Sequence, residues 1–227
     1  MATLQKKTVV VVGGSSGIGF GVALAALQSL ASVVIIASSN RIRVDEAVER
    51  LKGYKLSGEV RGEVLDAKDS AAVKAFSIGL GTVDHIVWTS GDVPSGHAGG
   101  TPYSTVQSPE EGQAAFAVRF WGPFILAKHA KFHPGGSLTL TSGMAGQKPP
   151  PGGSVVSSFS AALDGLTRGL AVDLAPVRVN LVCPGVIFDK LLGEMKDMAL
   201  EAFKSKILFK RAGEPSEVAE AYLFLMK

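Results

Sequence analysis

Near the start of this 227-residue chain stands the segment Thr8-Val9-Val10-Val11-Val12-Gly13-Gly14-Ser15-Ser16-Gly17-Ile18-Gly19. Its four consecutive valines are β-branched and uncharged, which is typical of a strand buried on both faces of a parallel sheet. The glycines that follow interrupt regular structure, and apolar residues recur after Gly19 at helical spacing. The segment therefore predicts a strand, a tight turn and a helix.

The glycines of this turn suit a phosphate-binding loop. Glycine tolerates positive φ and lets the backbone approach a pyrophosphate, while the start of the next helix offers free N–H groups and a positive dipole. A second apolar strand follows about 20 residues on, as in a dinucleotide-binding βαβ unit. The alternative is a tight turn with no ligand. The turn residues predicted to hold a dinucleotide are Gly13, Ser15, Ser16, Gly17, Ile18 and Gly19.

Strands and helices are predicted to alternate along the whole chain. The predicted strands are Thr8–Val12, Ser32–Ala37, Glu59–Val64, Asp84–Thr89, Ser137–Thr141 and Val177–Val182. The predicted helices are Ile18–Leu30, Asp45–Lys52, Ser70–Leu80, Pro109–Lys131 and Val155–Leu174, with one or two more in Asp189–Lys210. This alternation predicts an α/β fold, a doubly wound parallel sheet of six strands with helices on both faces. No linker or repeat divides the sequence, so we expect residues 1–227 to form one domain.

Composition excludes several classes of protein. Hydrophobic residues make up 46% and charged residues 19%, which is too apolar for a disordered chain. The net charge of +3 gives no basic patch for nucleic acid, and a single cysteine with four histidines gives no metal motif. Thr8–Asn40 is uncharged, but its glycines and serines leave no unbroken apolar run of about 20 residues, so we expect no membrane span. No targeting signal is visible, which makes the cytoplasm the expected location.

The end of the second predicted strand indicates which dinucleotide binds. An Asp or Glu there would bind the ribose of NAD, whereas this chain has Ser38-Ser39-Asn40-Arg41, with Arg43 beyond. Hydroxyl groups and a guanidinium would bind a 2′-phosphate. We therefore predict NADP(H) as the cofactor, held by Ser38, Asn40 and Arg41. The alternative is that both arginines are solvated charges in the first turn of a helix.

Taken together, these motifs make the chain resemble the short-chain dehydrogenase/reductase family from its first strand to its last helix. The Gly13-x-x-x-Gly17-x-Gly19 turn matches the cofactor turn of that family, and Asp66 matches its adenine-contacting aspartate. Pro184-Gly185 matches the Pro-Gly pair beside the nicotinamide. The resemblance implies a Rossmann-like fold and adds further cofactor contacts at Ser90, Gly91, Pro184, Gly185 and Val186.

The catalytic positions of the family are altered. Its Tyr and Lys, four residues apart, fall on Val156 and Ser160, and neither can act as a proton donor or lower the pKa of one. The Asn-Asn-Ala-Gly motif is replaced by Trp88-Thr89-Ser90-Gly91, and the helix asparagine aligns with Arg119. Only the serine of the family's tetrad is retained, as Ser142. The chain also ends at Lys227, where the family usually continues through a seventh strand, which we expect to be absent.

Two residues are the main catalytic candidates. Ser142 would hydrogen-bond a substrate oxygen, unless it is an ordinary serine after a strand. Arg119 would stabilise an oxyanion or carboxylate, unless it is a structural arginine bonded to helix-end carbonyls. Weaker loop candidates are Asp92, His97, Tyr103 and Lys148. We interpret Asp164 and Asp173 as surface charges.

These observations favour an NADP(H)-dependent oxidoreductase with a non-standard active site, reducing a small organic carbonyl or imine. An iminium substrate would require no proton donor. The alternatives are a non-redox enzyme, such as a cyclase or isomerase, and a catalytically silent nucleotide-binding protein. The resemblance also implies a homodimer paired through Val155–Leu174, whose small residues would permit close helix approach. We expect a small-molecule substrate and no nucleic-acid or membrane partner.

Overall fold

A computed structural model describes residues 3–91, 106, 108–187 and 208–227. Six strands form one parallel sheet in the order β3-β2-β1-β4-β5-β6. The strands are β1 (Thr8–Val12), β2 (Val33–Ser38), β3 (Glu59–Val64), β4 (Thr82–Trp88), β5 (Lys131–Thr141) and β6 (Arg178–Val182). The predicted Rossmann-like doubly wound fold is confirmed.

Helices cover both faces of this sheet. They are α1 (Gly17–Gln28), α2 (Arg41–Gly53), α3 (Ser70–Gly79), α4 (Pro109–Phe116), α5 (Gly122–His129), α6 (Ser154–Asp173) and α7 (Pro215–Met226), with a π-helical turn at Ala117–Trp121 and a 3₁₀ turn at Met144–Gly146. One core packs α1, α2 and α7 against one face of the sheet. The other packs α3, α5 and α6 against the opposite face.

The central strands are buried on both faces because their side chains alternate between these two cores. Val9 and Val11 of β1 lie in the core with α1, and Val10 and Val12 lie in the core with α3 and α5. The outer strand β3 was expected to be buried as well, and that expectation is wrong. It lies at the sheet edge, so its residues are exposed or half-buried, and its Glu59 and Arg61 form an ion pair.

The largest differences between predicted and observed boundaries concern three elements. The helix expected over Pro109–Lys131 is divided by the π turn and ends at His129. The fifth strand begins at Lys131 instead of Ser137. Its first half contains an irregular stretch without the residue pattern of a strand, so the sequence did not indicate that half. Helix α2 begins at Arg41, four residues earlier than expected, because the Asn40 side chain caps it. The helices predicted in Asp189–Lys210 lie almost entirely outside the described residues.

Helix α7 closes the fold against α1 and the sheet. Its Tyr222 is fully buried, and the Tyr222 hydroxyl lies 2.7 Å from Thr141 Oγ1 at the end of β5. Burial raises the pKa of Tyr222 well above its ordinary value. Gly21 of α1 leaves room for the start of α7, since a Cβ there would lie 2.9 Å from the Pro215 carbonyl oxygen. Within the described residues, no helix is long and apolar enough to cross a membrane.

Candidate active site

The glycine-rich turn lies where the strand order reverses between β1 and β4, the usual ligand position in an open α/β sheet. Gly13 and Gly17 have φ values of +91° and +52°, in the left-handed region that favours glycine. A Cβ on Gly19 would overlap the carbonyl oxygen of Gly13, so the turn closes tightly over the helix start. This is the compact backbone that a bound pyrophosphate requires.

Helix α1 presents its N-terminus at this turn. Its N-cap residue is Ser16, whose side chain makes no capping hydrogen bond, and there is no acidic side chain in its first turn. The first turn therefore keeps its positive dipole available to an anion. Thr89 ties the turn to β4, since its N–H and hydroxyl both donate to the Val12 carbonyl, at 2.8 and 3.0 Å. The predicted contacts Ser15, Ile18, Ser90 and Gly91 belong to these same segments.

The carboxyl end of β2 holds the residues predicted to bind a 2′-phosphate. Asn40 Oδ1 accepts a hydrogen bond from the Arg43 N–H at 3.0 Å, which makes Asn40 the N-cap of α2. Arg41 is the first residue of that helix, is largely exposed, and lies 3.7 Å from Asp45. Ser38 is half-buried at the strand end. The cluster therefore combines a helix N-terminus with an exposed guanidinium.

Asp66 lies after β3, on the same sheet edge. It is exposed, and its carboxylate accepts a hydrogen bond from the Lys68 N–H at 3.0 Å. This bond stabilises the turn that leads into α3. The contact of Asp66 with adenine stays a prediction.

Ser142 is buried at the end of β5, in contact with the segment that follows β6. Its N–H donates to the Val182 carbonyl at 2.9 Å, and its hydroxyl donates to the Ser160 carbonyl of α6 at 3.1 Å. The nearby Met144 N–H donates to the Pro184 carbonyl at 3.0 Å. The structure thus brings Ser142 beside the Pro184-Gly185-Val186 segment that was predicted to contact nicotinamide.

A thiol that the sequence reasoning did not assign lies in the same place. Cys183 precedes Pro184, and its side chain interacts with that of Ser142. Burial raises the pKa of the Cys183 thiol, and the hydrogen bond with Ser142 acts in the opposite direction. The thiol is therefore held largely protonated at neutral pH.

Arg119 occupies the π turn and reaches the carboxyl end of β4. Its Cζ lies 5.1 Å from the centroid of the Phe159 ring, and its guanidinium lies against the α-carbon of Gly91. Its side chain extends toward β4 and α6. A permanent positive charge therefore stands beside the predicted nicotinamide end of the site.

The family model of the SDR-like Rossmann domain matches residues 1–227. The chain belongs to the short-chain dehydrogenase/reductase family. Its relatives include the dehydrogenase/reductases ucsE of an Acremonium species and malC of Malbranchea aurantiaca. The first is 38% identical over 98% of this chain and 90% of the relative, and the second is 33% identical over 99% and 89%.

A bacterial relative, the 3alpha-hydroxysteroid dehydrogenase of Mediterraneibacter gnavus, is 31% identical over 98% of this chain and 90% of the relative. Among solved structures, the MalC reductase/Diels-Alderase of Malbranchea aurantiaca superposes with a TM-score of 0.85 and 32% identity, covering 98% of this chain and 91% of the other. This short-chain dehydrogenase/reductase is thus an oxidoreductase by descent, and its family binds a nicotinamide cofactor.

The residues predicted to stand at the family's Tyr and Lys positions lie one helical turn apart on α6. Val156 is half-buried and Ser160 is buried, with the Ser160 carbonyl bonded to Ser142. The loop candidates Asp92, His97 and Tyr103 lie outside the described residues. Lys148 is exposed, and Asp164 pairs with Arg168 on the surface of α6 at 2.6 Å.

Besides Cys183, Phe159 and Trp88 are residues of this site that sequence reasoning did not assign. Phe159 immediately precedes the Lys position, and Trp88 fills the first position of the altered Asn-Asn-Ala-Gly motif. Both are buried, and both contact the π turn or its arginine. The sequence showed that Trp88 replaces the first residue of that motif. It did not show which groups the Trp88 ring contacts, because those contacts depend on the π turn, which residue spacing does not predict.

Proposed function

We propose that this protein reduces a small organic carbonyl or imine with NADPH. The proposal is carried by the junction of β1, the glycine turn and α1, where positive φ values and an uncapped helix start form a pyrophosphate cradle. The turn fits a dinucleotide because Gly13 and Gly19 leave no room for a side chain between the strand and the helix.

The preference for NADPH over NADH is supported by the charges near β2. The segment Ser38-Ser39-Asn40-Arg41 contains no carboxylate that would repel a 2′-phosphate. Arg41 is exposed at the first position of α2, so its guanidinium and the helix dipole would act on the same anion. Its loose 3.7 Å pairing with Asp45 is weak enough to be exchanged for a phosphate.

The protein groups near the reacting carbon would act on the substrate oxygen or on its charge. When bound, NADPH supplies the hydride, and the chain has to orient the substrate and stabilise the developing charge. Ser142 would rotate its hydroxyl from the Ser160 carbonyl to a substrate oxygen, and Arg119 would stabilise negative charge there. Because Val156 and Ser160 supply no proton, the alkoxide formed by hydride transfer to a carbonyl would take its proton from water.

A direct test measures NADPH oxidation by the purified chain with a panel of ketones, aldehydes and cyclic iminium ions. We expect turnover of a ketone or aldehyde, a loss in kcat of about tenfold or more for Ser142→Ala, and a loss of about a hundredfold for Arg119→Gln. Ser158→Ala, an exposed serine on the same helix α6, is the matched control and should retain activity. NADPH oxidation that is unaffected by either site variant would contradict these roles.

A non-redox cyclisation is the second candidate function. It is favoured by the absence of the Tyr-Lys pair at Val156 and Ser160, together with the solved relative described as a reductase/Diels-Alderase. The same panel, extended to dienes with a tethered alkene, distinguishes the two candidates. Product formed without NADPH oxidation would favour cyclisation.

A further inference from the structure

The π turn at Ala117–Trp121 has a specific cause in the residues around it. The Gly122 N–H donates to the Ala117 carbonyl, five residues back, which sets π spacing. At the same spacing the donor for the Val118 carbonyl would be residue 123, which is a proline without an N–H. Trp88 supplies the donor instead, since its Nε1–H bonds to the Val118 carbonyl at 3.0 Å.

Trp88 is therefore more than a core side chain. It is 1% exposed, and Gly122 packs directly on its ring, since a Cβ on Gly122 would lie 2.5 Å from Trp88 Cζ2. Without the indole N–H, the buried carbonyl of Val118 would lose its partner, which disfavours the π turn. The residue that follows this carbonyl is Arg119.

The side chain of Arg119 is held from two sides. On one side is the ring of Phe159, a buried residue that is itself in edge contact with Phe116 at 6.2 Å. On the other side is Gly91, where a Cβ would lie 2.5 Å from Arg119 Nη2 and 2.6 Å from Cζ. A guanidinium over the face of a buried ring is attracted by the ring quadrupole and loses rotamer freedom before any ligand binds.

We propose that Trp88 and Phe159 are positioning residues that hold the Arg119 guanidinium at the carboxyl end of β4. Trp88 fixes the backbone turn through the Val118 carbonyl, and Phe159 fixes the side chain through its ring face. The inference rests on the proposed function only in giving Arg119 an electrostatic role in the reaction. In this arrangement, a preorganised cation that does not titrate, the Arg119 guanidinium, replaces the Tyr-Lys pair.

The positioning itself is tested by a readout that needs no substrate. In a ¹⁵N-labelled protein, the Nε–Hε signal of Arg119 is assigned by its loss in Arg119→Lys. We expect this proton signal to move in Phe159→Leu, which removes the ring current, and to stay close to its wild-type position in Phe159→Tyr, which retains the ring face. An Arg119 signal that does not respond to Phe159→Leu would overturn the role of Phe159.

The backbone contribution is tested with the two tryptophans of the chain. We expect the buried indole N–H of Trp88 to exchange with deuterium far more slowly than that of Trp121, whose side chain is half-exposed on the π turn. Trp88→Phe should move the Arg119 signal, and Trp121→Phe is the matched control that should leave it nearly in place. Fast exchange of both indoles, or no shift in Trp88→Phe, would overturn the role of Trp88.

Gly91→Ala provides a second test of the Arg119 placement if Phe159→Leu fails to fold. The three atoms nearest to the added methyl group all belong to the guanidinium at the far end of the flexible Arg119 side chain, so we expect the fold to be retained while the guanidinium is displaced. The Arg119 signal should then move without a large change in the unfolding midpoint. An unmoved signal in folded Gly91→Ala would contradict the placement of Arg119.

Kinetics then connect positioning with reaction. For a ketone or aldehyde substrate, Phe159→Leu should lower kcat by at least about tenfold while the Kd for NADPH stays within twofold, and Phe159→Tyr should restore kcat. An equal loss in Phe159→Tyr would show that only packing matters and would contradict the proposal. If the wild-type protein reduces no member of the panel, the proposed function fails, and the Arg119 signal still decides the positioning.

Discussion

The hydroxyl of Ser142 donates a hydrogen bond to the main-chain carbonyl of Ser160, with 3.1 Å between the two oxygens. This contact joins Ser142, which is predicted to be the catalytic serine of the family, to the predicted position of the family's lysine. Ser160 is buried and its side chain is uncharged, so this position does not supply the positive charge of the lysine. The only cation that the described residues bring to the carboxyl end of β4 in a defined contact is Arg119.

Restoring the lysine is therefore expected to destabilise this protein. Ser160→Lys would place an ammonium group in a site that is 3% exposed, where desolvation disfavours the charged form. We expect a loss of about 3 kcal/mol in the free energy of unfolding, measured by denaturant titration. Ser158→Lys, on the exposed face of the same helix, should change it by less than about 0.5 kcal/mol. Equal effects of the two substitutions would contradict the burial of Ser160.

The glycine turn should tolerate no side chain at Gly19. A Cβ there overlaps the Gly13 carbonyl, which is backbone and cannot move aside without opening the turn. We expect Gly19→Ala to weaken NADPH binding at least about a hundredfold, the cost of roughly 2.7 kcal/mol of lost contacts. Gly165→Ala is the matched helical control, because a Cβ at Gly165 meets no atom within 4 Å. It should bind NADPH normally and raise the free energy of unfolding by about 0.5 to 1 kcal/mol.

Folding stability should depend on pH through His85. This residue is buried in β4, where its Nδ1 lies 2.9 Å from Ser137 Oγ. Burial lowers the pKa of His85 to about 4, although the nearby Asp84 carboxylate acts in the opposite direction. The unfolded chain, with an ordinary histidine pKa near 6.5, therefore binds a proton between about pH 6.5 and pH 4 that the folded chain does not.

The free energy of unfolding should consequently fall as the pH falls through this window, by up to about 3 kcal/mol from His85 alone. Urea titrations of the wild type and His85→Gln at several pH values measure the difference, which should be largest near neutral pH and shrink toward pH 4. His133→Gln, at an exposed position, should keep the wild-type dependence. Parallel curves for the wild type and His85→Gln would contradict the buried neutral histidine.

The sequence was sufficient to predict the parallel sheet, because the valines of β1 and the glycine turn admit few other structures. It was insufficient for β5, whose first half is interrupted by Pro134, Gly135 and Gly136. These residues make an irregular stretch opposite Asp84, between the pairs Val83–Phe132 and His85–Ser137, and Gly135 takes a φ of +79°. Local residue preferences predict a loop for this stretch, whereas pairing with β4 incorporates it into the strand.

The candidate site, like the fold, could be predicted from the sequence only in part. Ser142, Arg119 and the turn glycines were identified from their motif positions, and the structure places them at the carboxyl edge of the sheet. The π turn could not be predicted, because it depends on Trp88 donating to Val118 across about 30 residues and on the missing N–H of Pro123. The capping role of Asn40 was foreseeable, since asparagine before a helix is a preferred N-cap.

A calorimetric titration of the purified chain with NADPH and with NADH tests the proposed cofactor. We expect NADPH to bind at micromolar or lower Kd, at least about tenfold tighter than NADH, a difference of roughly 1.4 kcal/mol. Arg41→Ala should remove most of that preference while leaving NADH affinity unchanged, with Lys52→Ala, an exposed cation near the other end of α2, as the matched control. Equal affinity for the two cofactors, or no binding of either, would contradict the account.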